Sequence, residues 1–148
     1  MGEMLPHDAV RLGLRASDRF DAVRQSGNVL VEIGAVEEPY VEAMLERERN
    51  LSTSLGEGFA IPHGTDDSRR WIRETKLAFL QFPDGVDWGD DTVRVCVAIA
   101  AVGDEHVGVL ARLANVLVVP EQAARLRDAE RIEDVLAILD SPLEEATP

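Results

Sequence analysis

The chain has 148 residues, of which 45% are apolar and 29% are charged, so it is long enough to form one domain with a hydrophobic core. Asp and Glu outnumber Lys and Arg by 28 to 15, and the net charge of −13 disfavours nucleic acid and anionic membranes as partners. A basic protein surface or a cation is a better candidate partner, although acidity alone also serves solubility.

The sequence shows neither a membrane-spanning run nor a secretory signal. No stretch approaches the roughly 18 consecutive apolar residues that a membrane helix needs. Residues 1–14 lack a basic segment followed by an apolar run. The single cysteine, Cys96, excludes an internal disulfide framework and fits a reducing compartment. We therefore expect a cytoplasmic protein.

The first half of the chain mixes helical and extended patterns. Ser17 is predicted to cap a helix whose apolar residues recur at helical spacing until Gly34 stops it. Pro39 suits the first turn of a second helix, which is predicted to continue over residues 40–49. Residues 55–62 are predicted to be extended, and residues 67–73 to form a short helix.

Two strands are predicted in the second half, over residues 75–82 and 93–101. The second strand is apolar on both faces, which is typical of a strand at the centre of a sheet. Residues 83–85 and 88–91 supply turn chemistry between the two strands.

Helical patterns follow these strands. Asp104 is predicted to cap a helix that Pro120 ends, and two shorter helices are predicted over residues 121–128 and 132–139. The residues predicted to line the buried face of the first of these helices are Val107, Leu110, Leu113, Ala114 and Leu117.

Helices that interrupt and follow buried strands predict an α/β sandwich, a single domain with a mixed sheet between two layers of helices. We expect this domain over residues 1–140. Residues 141–148 contain two prolines, two glutamates and little to bury, so they are predicted to form a flexible C-terminal tail.

Motifs of nucleotide and zinc chemistry are absent from the sequence. There is no GxxxxGK[ST] phosphate loop, no complete dinucleotide fingerprint and no serine in a G-x-S-x-G turn. CxxC and HExxH spacings are also missing, and one cysteine with three scattered histidines makes a structural zinc site a poor fit. We therefore expect no metal and no cofactor.

Residues 58–65, GFAIPHGT, place His63 at a bend after an apolar strand. Pro62 fixes its own φ, and Gly64 allows a sharp turn and the close approach of another molecule. A neutral imidazole is a good nucleophile near pH 7, so a histidine presented in this way suits group transfer. The alternative is a turn histidine with satisfied hydrogen bonds, and the residues alone leave both interpretations open.

Arg47 extends the apolar stripe of the helix that begins at Pro39. An arginine directed along a buried face needs an anion, either a carboxylate such as that of Glu57 or a transferred phosphoryl group. Alternatively, its stem packs while its guanidinium reaches water.

His106 falls in the first turn of the helix predicted after Asp104. The amide donors at a helix N-terminus form a ready phosphate site, and a neutral imidazole there could donate to a phosphoryl oxygen. An ordinary exposed histidine is the alternative. Cys96 lies within an apolar strand and is predicted to pack rather than to react.

An ordered set of segments resembles the type-2 IIA domains of the sugar phosphotransferase system, the mannitol/fructose type. The similarity covers roughly residues 5–139, and the stretch 39–65, which keeps Gly56-Glu57, is most similar to the mannitol-specific branch. Phe59 and residues 50–52 depart from the usual pattern. The segments that carry the resemblance are 39–48, 55–65, 82–86, 97–101, 105–107 and 132–136.

This resemblance implies a five-stranded mixed sheet with helices on both faces, and phosphotransferase activity without a cofactor. It implies that His63 takes a phosphoryl group from phospho-HPr on its Nε2 atom. The group then passes to a cysteine of a IIB domain that is itself linked to a membrane IIC transporter, for uptake of mannitol or a fructose-type sugar. Arg47 and His106 match the residues that line the same pocket and steady the phosphoryl group.

Two other functions remain open on the sequence. The first is a regulatory module of the same fold that senses the phosphorylation state and docks on a transporter or a transcription factor. The second is a metal-binding or purely structural acidic domain.

Overall fold

The computed structural model describes residues 4–89, 91–103 and 105–139, and for His106 the backbone alone. The strands are β1 (Val10–Arg11), β2 (Ser54–Gly56), β3 (Phe59–Ala60), β4 (Lys76–Asp87) and β5 (Thr92–Ala100). The helices are α1 (Arg19–Glu32), α2 (Pro39–Asn50), α3 (Glu105–Leu117), α4 (Pro120–Arg127) and α5 (Ile132–Leu139), with 3-10 segments at His7–Ala9 and Asp66–Trp71.

The five strands form one mixed sheet in the order β1-β4-β5-β3-β2. β5 lies at the centre, antiparallel to β4 and parallel to β3, whereas β1 runs parallel to β4 and β2 antiparallel to β3. The predicted five-stranded α/β sandwich, with its doubly apolar strand in the centre, is therefore confirmed.

Helices cover both faces of this sheet. Cys96 and Gln81 point to opposite faces, because Gln81 pairs with the residue before Cys96. The Cys96 thiol is hydrogen-bonded with Ser26 of α1. Gln81 donates its side-chain amide to the carbonyl oxygens of Arg127 and Ala129, at the end of α4, over 3.1 and 2.7 Å. Thus α1 packs on one face and α4 on the other, and burial raises the pKa of the Cys96 thiol, which stays protonated.

The N-terminus of α1 corrects one prediction. Asp18, not Ser17, is the N-cap: its carboxylate accepts the Asp21 N–H over 2.8 Å. In return, the Asp21 carboxylate accepts the Ser17 N–H over 2.9 Å. These two bonds satisfy two donors at the helix start, and Ser17 and Asp18 are equally good caps by residue type, so composition could not choose between them. Gly34, at φ +79, follows α1 as predicted.

The segment 55–62, predicted to be extended, begins as a tight hairpin. β2 and β3 are antiparallel, with Ser54 opposite Ala60. The chain reverses at Glu57, which has a φ of +58 and is flanked by two glycines with positive φ. From α4, Arg127 Nη1 donates to the Glu57 carbonyl oxygen over 2.8 Å and fixes this turn against the helices.

Residues 83–85, predicted as a turn, lie inside β4 instead. The register between β4 and β5 shifts between Gln81 and Val86, so the turn-type residues form an irregularity within the strand. The chain reverses only after Asp87, which pairs with Thr92.

The buried face of α3 also differs from the prediction. Val109, Leu113 and Val116 are buried, whereas Val107 and Leu110 are 61% and 38% exposed. Only Leu113 of the predicted face is buried; Ala114 is exposed and Leu117 is half-buried. Because α3 is apolar on most of its sides, the spacing of its apolar residues did not determine which side packs against the core.

The remaining helices follow their predictions, since α2 begins at Pro39 and α4 and α5 lie within a residue of the predicted bounds. Of the described helices, no single one is long and apolar enough to span a membrane; Val107–Leu117 and Pro120–Arg127 meet that test only together, across a bend of 99°. The predicted cap Asp104 and the predicted tail 141–148 lie outside the described residues.

Candidate functional site

His63 follows β3 in a segment that is bonded on both sides. The Ile61 N–H donates to the Thr53 carbonyl oxygen, and the Pro62 carbonyl oxygen accepts the Ile99 N–H from β5, both over 3.0 Å. These bonds extend the sheet pairing to the residue before His63, so the position of the histidine backbone is determined by the sheet.

The His63 ring has a defined tautomer. Its Nδ1 lies 2.8 Å from the carbonyl oxygen of Ile61. A carbonyl oxygen can only accept, so Nδ1 carries the hydrogen and, in the neutral ring, the lone pair lies on Nε2. The side chain is half-buried. This is the arrangement that nucleophilic attack by Nε2 requires.

Tyr40 of α2 holds the chain directly after His63. Its buried hydroxyl donates to the Ile99 carbonyl oxygen over 3.1 Å and accepts the Gly64 N–H over 2.9 Å. Burial raises the pKa of Tyr40, while the Gly64 bond and the charge of Arg69 act in the opposite direction. A Cβ on residue 64 would lie 2.6 Å from Tyr40 Cε1, so close packing at this point requires glycine.

The buried carboxylate of Glu48 fixes Thr53, which pairs with the His63 segment. Glu48, at the end of α2, is 1% exposed. It accepts the Thr53 hydroxyl over 2.6 Å, the Thr53 N–H over 3.3 Å and the Trp88 indole N–H over 2.9 Å. Because three donors satisfy this buried charge, Thr53 is fixed where its carbonyl oxygen pairs with Ile61.

His63 opens onto a cavity of about 140 Å³. A water molecule occupies about 30 Å³ of liquid, so this space is large enough for a small anion with some water. Its wall is polar beside His63 and apolar toward α3. The lining residues are Tyr40, His63, Gly64, Thr65, Asp66, Arg69, Ile72, Ile99, Ala101 and Leu110.

Arg47 is not among the described residues that line the cavity. Its Nη1 donates to the Leu51 carbonyl oxygen over 2.6 Å, at the C-terminus of α2. Leu51 leads into Thr53, whose carbonyl oxygen pairs with Ile61, so Arg47 fixes the segment that runs beside His63. Glu57, the carboxylate considered as its partner, instead offers its backbone oxygen to Arg127.

The backbone of His106 lies in the first turn of α3, as predicted, and its side chain lies outside the described part of the chain. Leu110 lines the cavity. The N-terminal half of α3 is therefore oriented toward the His63 segment.

Sequence reasoning did not identify Tyr40 and Arg69 as site residues. Tyr40 is a buried aromatic residue of α2, and only its contacts with Ile99 and Gly64 distinguish it from a core residue. Arg69 follows His63 by six residues in a short charged segment without periodicity, so nothing in its spacing indicated the cavity. Among the described residues, no group of three or more His, Cys, Asp or Glu side chains could hold a metal ion.

Comparison with known proteins places these features in a family. The family model described as "Phosphoenolpyruvate-dependent sugar phosphotransferase system, EIIA 2" matches residues 3–141. A multiphosphoryl transfer protein of Escherichia coli O157:H7 is 45% identical over 128 residues, which cover 86% of this chain and 34% of that protein. This chain thus spans about a third of the length of that relative.

Two further relatives are matched along nearly their whole length. The mannitol-specific phosphotransferase enzyme IIA component of Staphylococcus aureus is 34% identical over 140 residues, covering 95% of this chain and 97% of that protein. The structure of enzyme IIAMTL in complex with phosphorylated enzyme IIBMTL from Escherichia coli aligns with a TM-score of 0.86 at 36% identity. The alignment covers 91% of this chain and 96% of that one. The chain therefore belongs to the EIIA type-2 family of the phosphoenolpyruvate-dependent sugar phosphotransferase system.

Proposed function

We propose that this chain is a IIA phosphocarrier that accepts a phosphoryl group from phospho-HPr on Nε2 of His63. It then donates the group to a cysteine of a IIB domain. The observation that carries this proposal is the bond from His63 Nδ1 to the Ile61 carbonyl oxygen, 2.8 Å long, which leaves the lone pair on Nε2. Family membership supplies the class of reaction.

The transfer needs no group beyond those of the two proteins. Nε2 attacks the phosphorus of phospho-HPr in line, and the bond from phosphorus to the HPr nitrogen breaks as the bond to Nε2 forms. The His63 ring gains positive charge in this step, and the Ile61 carbonyl oxygen, already bonded to Nδ1–H, stabilises it. Because the ring is held before the donor arrives, positioning contributes much of the catalysis. In the second transfer, the cysteine thiolate of the IIB domain attacks the phosphorus, and the bond from phosphorus to Nε2 breaks as the bond to sulfur forms.

We assign Arg47 and His106 as groups that steady the phosphoryl group on His63. The resemblance of both positions to the family pattern supports this assignment, as does the location of position 106 in the first turn of α3. For Arg47, the guanidinium would have to turn from the Leu51 carbonyl oxygen, where it lies 2.6 Å away, toward the phosphoryl oxygens.

HPr and the IIB domain must both approach the His63 cavity. Exposed apolar side chains at its rim suit such contacts: Leu110 lines the cavity, and Val102 and Val107 are 46% and 61% exposed on the adjoining loop and helix. The net charge of −13 would raise the rate of encounter with a basic rim on HPr, and added salt would lower that rate.

We further propose that the sugar is mannitol, that the protein works in the cytoplasm and that residues 1–140 form its IIA domain. A relative of almost equal length is the mannitol-specific component of Staphylococcus aureus, and the Escherichia coli complex pairs a mannitol IIA with its phosphorylated IIB. These names support mannitol over a fructose-type sugar.

The direct test is intact mass spectrometry after incubation with phosphoenolpyruvate, enzyme I and HPr. We expect the wild-type chain to gain one acid-labile phosphate and His63→Ala to gain none while keeping its circular dichroism spectrum. His7→Ala, which removes an exposed histidine from the 3-10 segment His7–Ala9, is the matched control and should be phosphorylated like the wild type. Phosphorylation of His63→Ala would contradict the assignment of the acceptor.

A further inference from the structure

Arg69 brings a positive charge to the His63 cavity from a short helix that follows the bend. This 3-10 segment, Asp66–Trp71, begins directly after Thr65, and both Thr65 and Arg69 line the cavity. The segment is anchored at its start, because Ser68 donates its N–H and its hydroxyl to the Thr65 carbonyl oxygen over 3.1 and 2.5 Å. Arg69 is therefore carried by a fixed backbone only a few residues from His63.

The guanidinium of Arg69 is held weakly. It forms an ion pair with Asp66 on the same segment at 3.7 Å, and the two side chains are 46% and 97% exposed. An exposed pair at this distance is screened by water and gains little energy, so a stronger anion can displace the carboxylate. Arg47 differs in this respect, since its Nη1 lies 2.6 Å from a backbone oxygen at a helix end.

The charge of Arg69 also acts on the groups around His63. It opposes the rise that burial causes in the pKa of Tyr40. The Tyr40 hydroxyl accepts the N–H of Gly64, the residue next to His63. The guanidinium is thus close enough to influence the hydrogen-bonded group that holds the His63 bend.

We propose that Arg69 binds the phosphoryl group carried by His63, exchanging Asp66 for the phosphoryl oxygens when the group arrives. This inference rests on the proposed function of His63. A phosphoryl group carries nearly two negative charges, and the planar guanidinium can bind two of its oxygens at once, so it competes well against one exposed carboxylate. In the unphosphorylated chain, Asp66 keeps the guanidinium at the mouth of the cavity.

The neighbouring Arg70 is a matched control. It has the same charge and lies on the same 3-10 segment, but its guanidinium stacks over the Trp71 ring at 4.6 Å from the centroid. Arg70 is not among the described residues that line the cavity. Arg69→Gln and Arg70→Gln therefore change the net charge equally, but the first removes the cation from the wall of the cavity and the second from the face of the Trp71 ring.

The test measures how strongly each variant holds the phosphoryl group. The wild type, Arg69→Gln, Arg69→Lys and Arg70→Gln are equilibrated with defined mixtures of HPr and phospho-HPr, and occupancy is read by intact mass. We expect Arg69→Gln to lower the equilibrium constant about tenfold, the size of one lost charge-assisted hydrogen bond. Arg69→Lys should lose less, and Arg70→Gln should match the wild type.

Phosphorus NMR supplies a readout that a purely structural role would not move. Loss of a cation beside the phosphoryl group raises the pKa of that group, so the titration of the phosphohistidine signal should shift to higher pH in Arg69→Gln alone. If Arg69→Gln and Arg70→Gln agree in both occupancy and titration, Arg69 does not bind the phosphoryl group. If the wild type takes no phosphate from competent phospho-HPr, the carrier function and the role of Arg69 are both wrong.

Discussion

On one side of the His63 cavity the chain is fixed by hydrogen bonds, whereas on the other side α3 leaves apolar side chains in solvent. The bend is held through Thr53, Ile99 and Tyr40. Across the cavity, Leu110 of α3 is 38% exposed, while Leu113, one turn along, is 3% exposed. A carrier that serves two partners needs both properties, because the reacting atom must be fixed and the surface around it must remain accessible to each partner.

The largest expected effect separates the two faces of α3. Leu113→Ala should lower the free energy of unfolding by about 2–5 kcal/mol, as for other buried leucines. Leu110→Ala should change it by no more than about 0.5 kcal/mol, because its side chain is 38% exposed. In transfer assays, however, Leu110→Ala should raise the KM for phospho-HPr several-fold. Urea denaturation and steady-state kinetics would check the pair, and an equal loss of stability in both would contradict the assigned faces.

A second pair of variants compares the bend with the open helix. Gly64→Ala should cost about 3 kcal/mol and impair transfer, because the new Cβ would lie 2.6 Å from Tyr40 Cε1. Gly108→Ala in α3 meets nothing within 4 Å and replaces a helical glycine, so it should stabilise the chain by about 0.5–1 kcal/mol. Thermal unfolding would measure the stability of both variants. If Gly64→Ala were as stable as the wild type, the bend would not be tightly packed.

The smallest expected effect concerns the Tyr40 hydroxyl. Tyr40→Phe removes the acceptor of the Gly64 N–H and the donor to Ile99, so it should cost about 1 kcal/mol near neutral pH.

The cost of Tyr40→Phe should also depend on pH. Burial raises the pKa of Tyr40 above its ordinary value of 10.0, so the folded state keeps the proton longer than the unfolded state does. Below pH 10 the folded and unfolded states both keep this proton, so it does not change the free energy of unfolding. As the pH rises from 10 toward the folded pKa, the unfolded state loses the proton first and the free energy of unfolding falls. The wild type should therefore lose stability faster than Tyr40→Phe above pH 10. Parallel pH profiles from urea denaturation would show that the hydroxyl is not buried.

The sequence was most informative where one pattern allowed one structure. A strand apolar on both faces had to lie inside the sheet, and the order of motifs identified the family. It was less informative where residue type allowed two structures, as for the Ser17 and Asp18 caps, or for α3, which is apolar on most sides. Residues 83–85 contain turn-type residues, but β4 accommodates them through a shift in register.

The sequence predicted only the part of the site that a local motif determines. His63 stands in a local motif, so its bend could be inferred from its two neighbours. Tyr40 and Arg69 reach the cavity from α2 and from a 3-10 segment, and their contacts depend on how these elements pack. The phosphoryl-binding roles of Arg47 and His106 stay predictions.

The most direct test of the central claim is a two-bond proton–nitrogen NMR spectrum of His63, recorded before and after phosphorylation by phospho-HPr. We expect the neutral ring to carry its hydrogen on Nδ1, as the bond to Ile61 requires, and the phosphoryl group to appear on Nε2. A hydrogen on Nε2 in the neutral ring, or a phosphoryl group on Nδ1 or on another residue, would contradict the account.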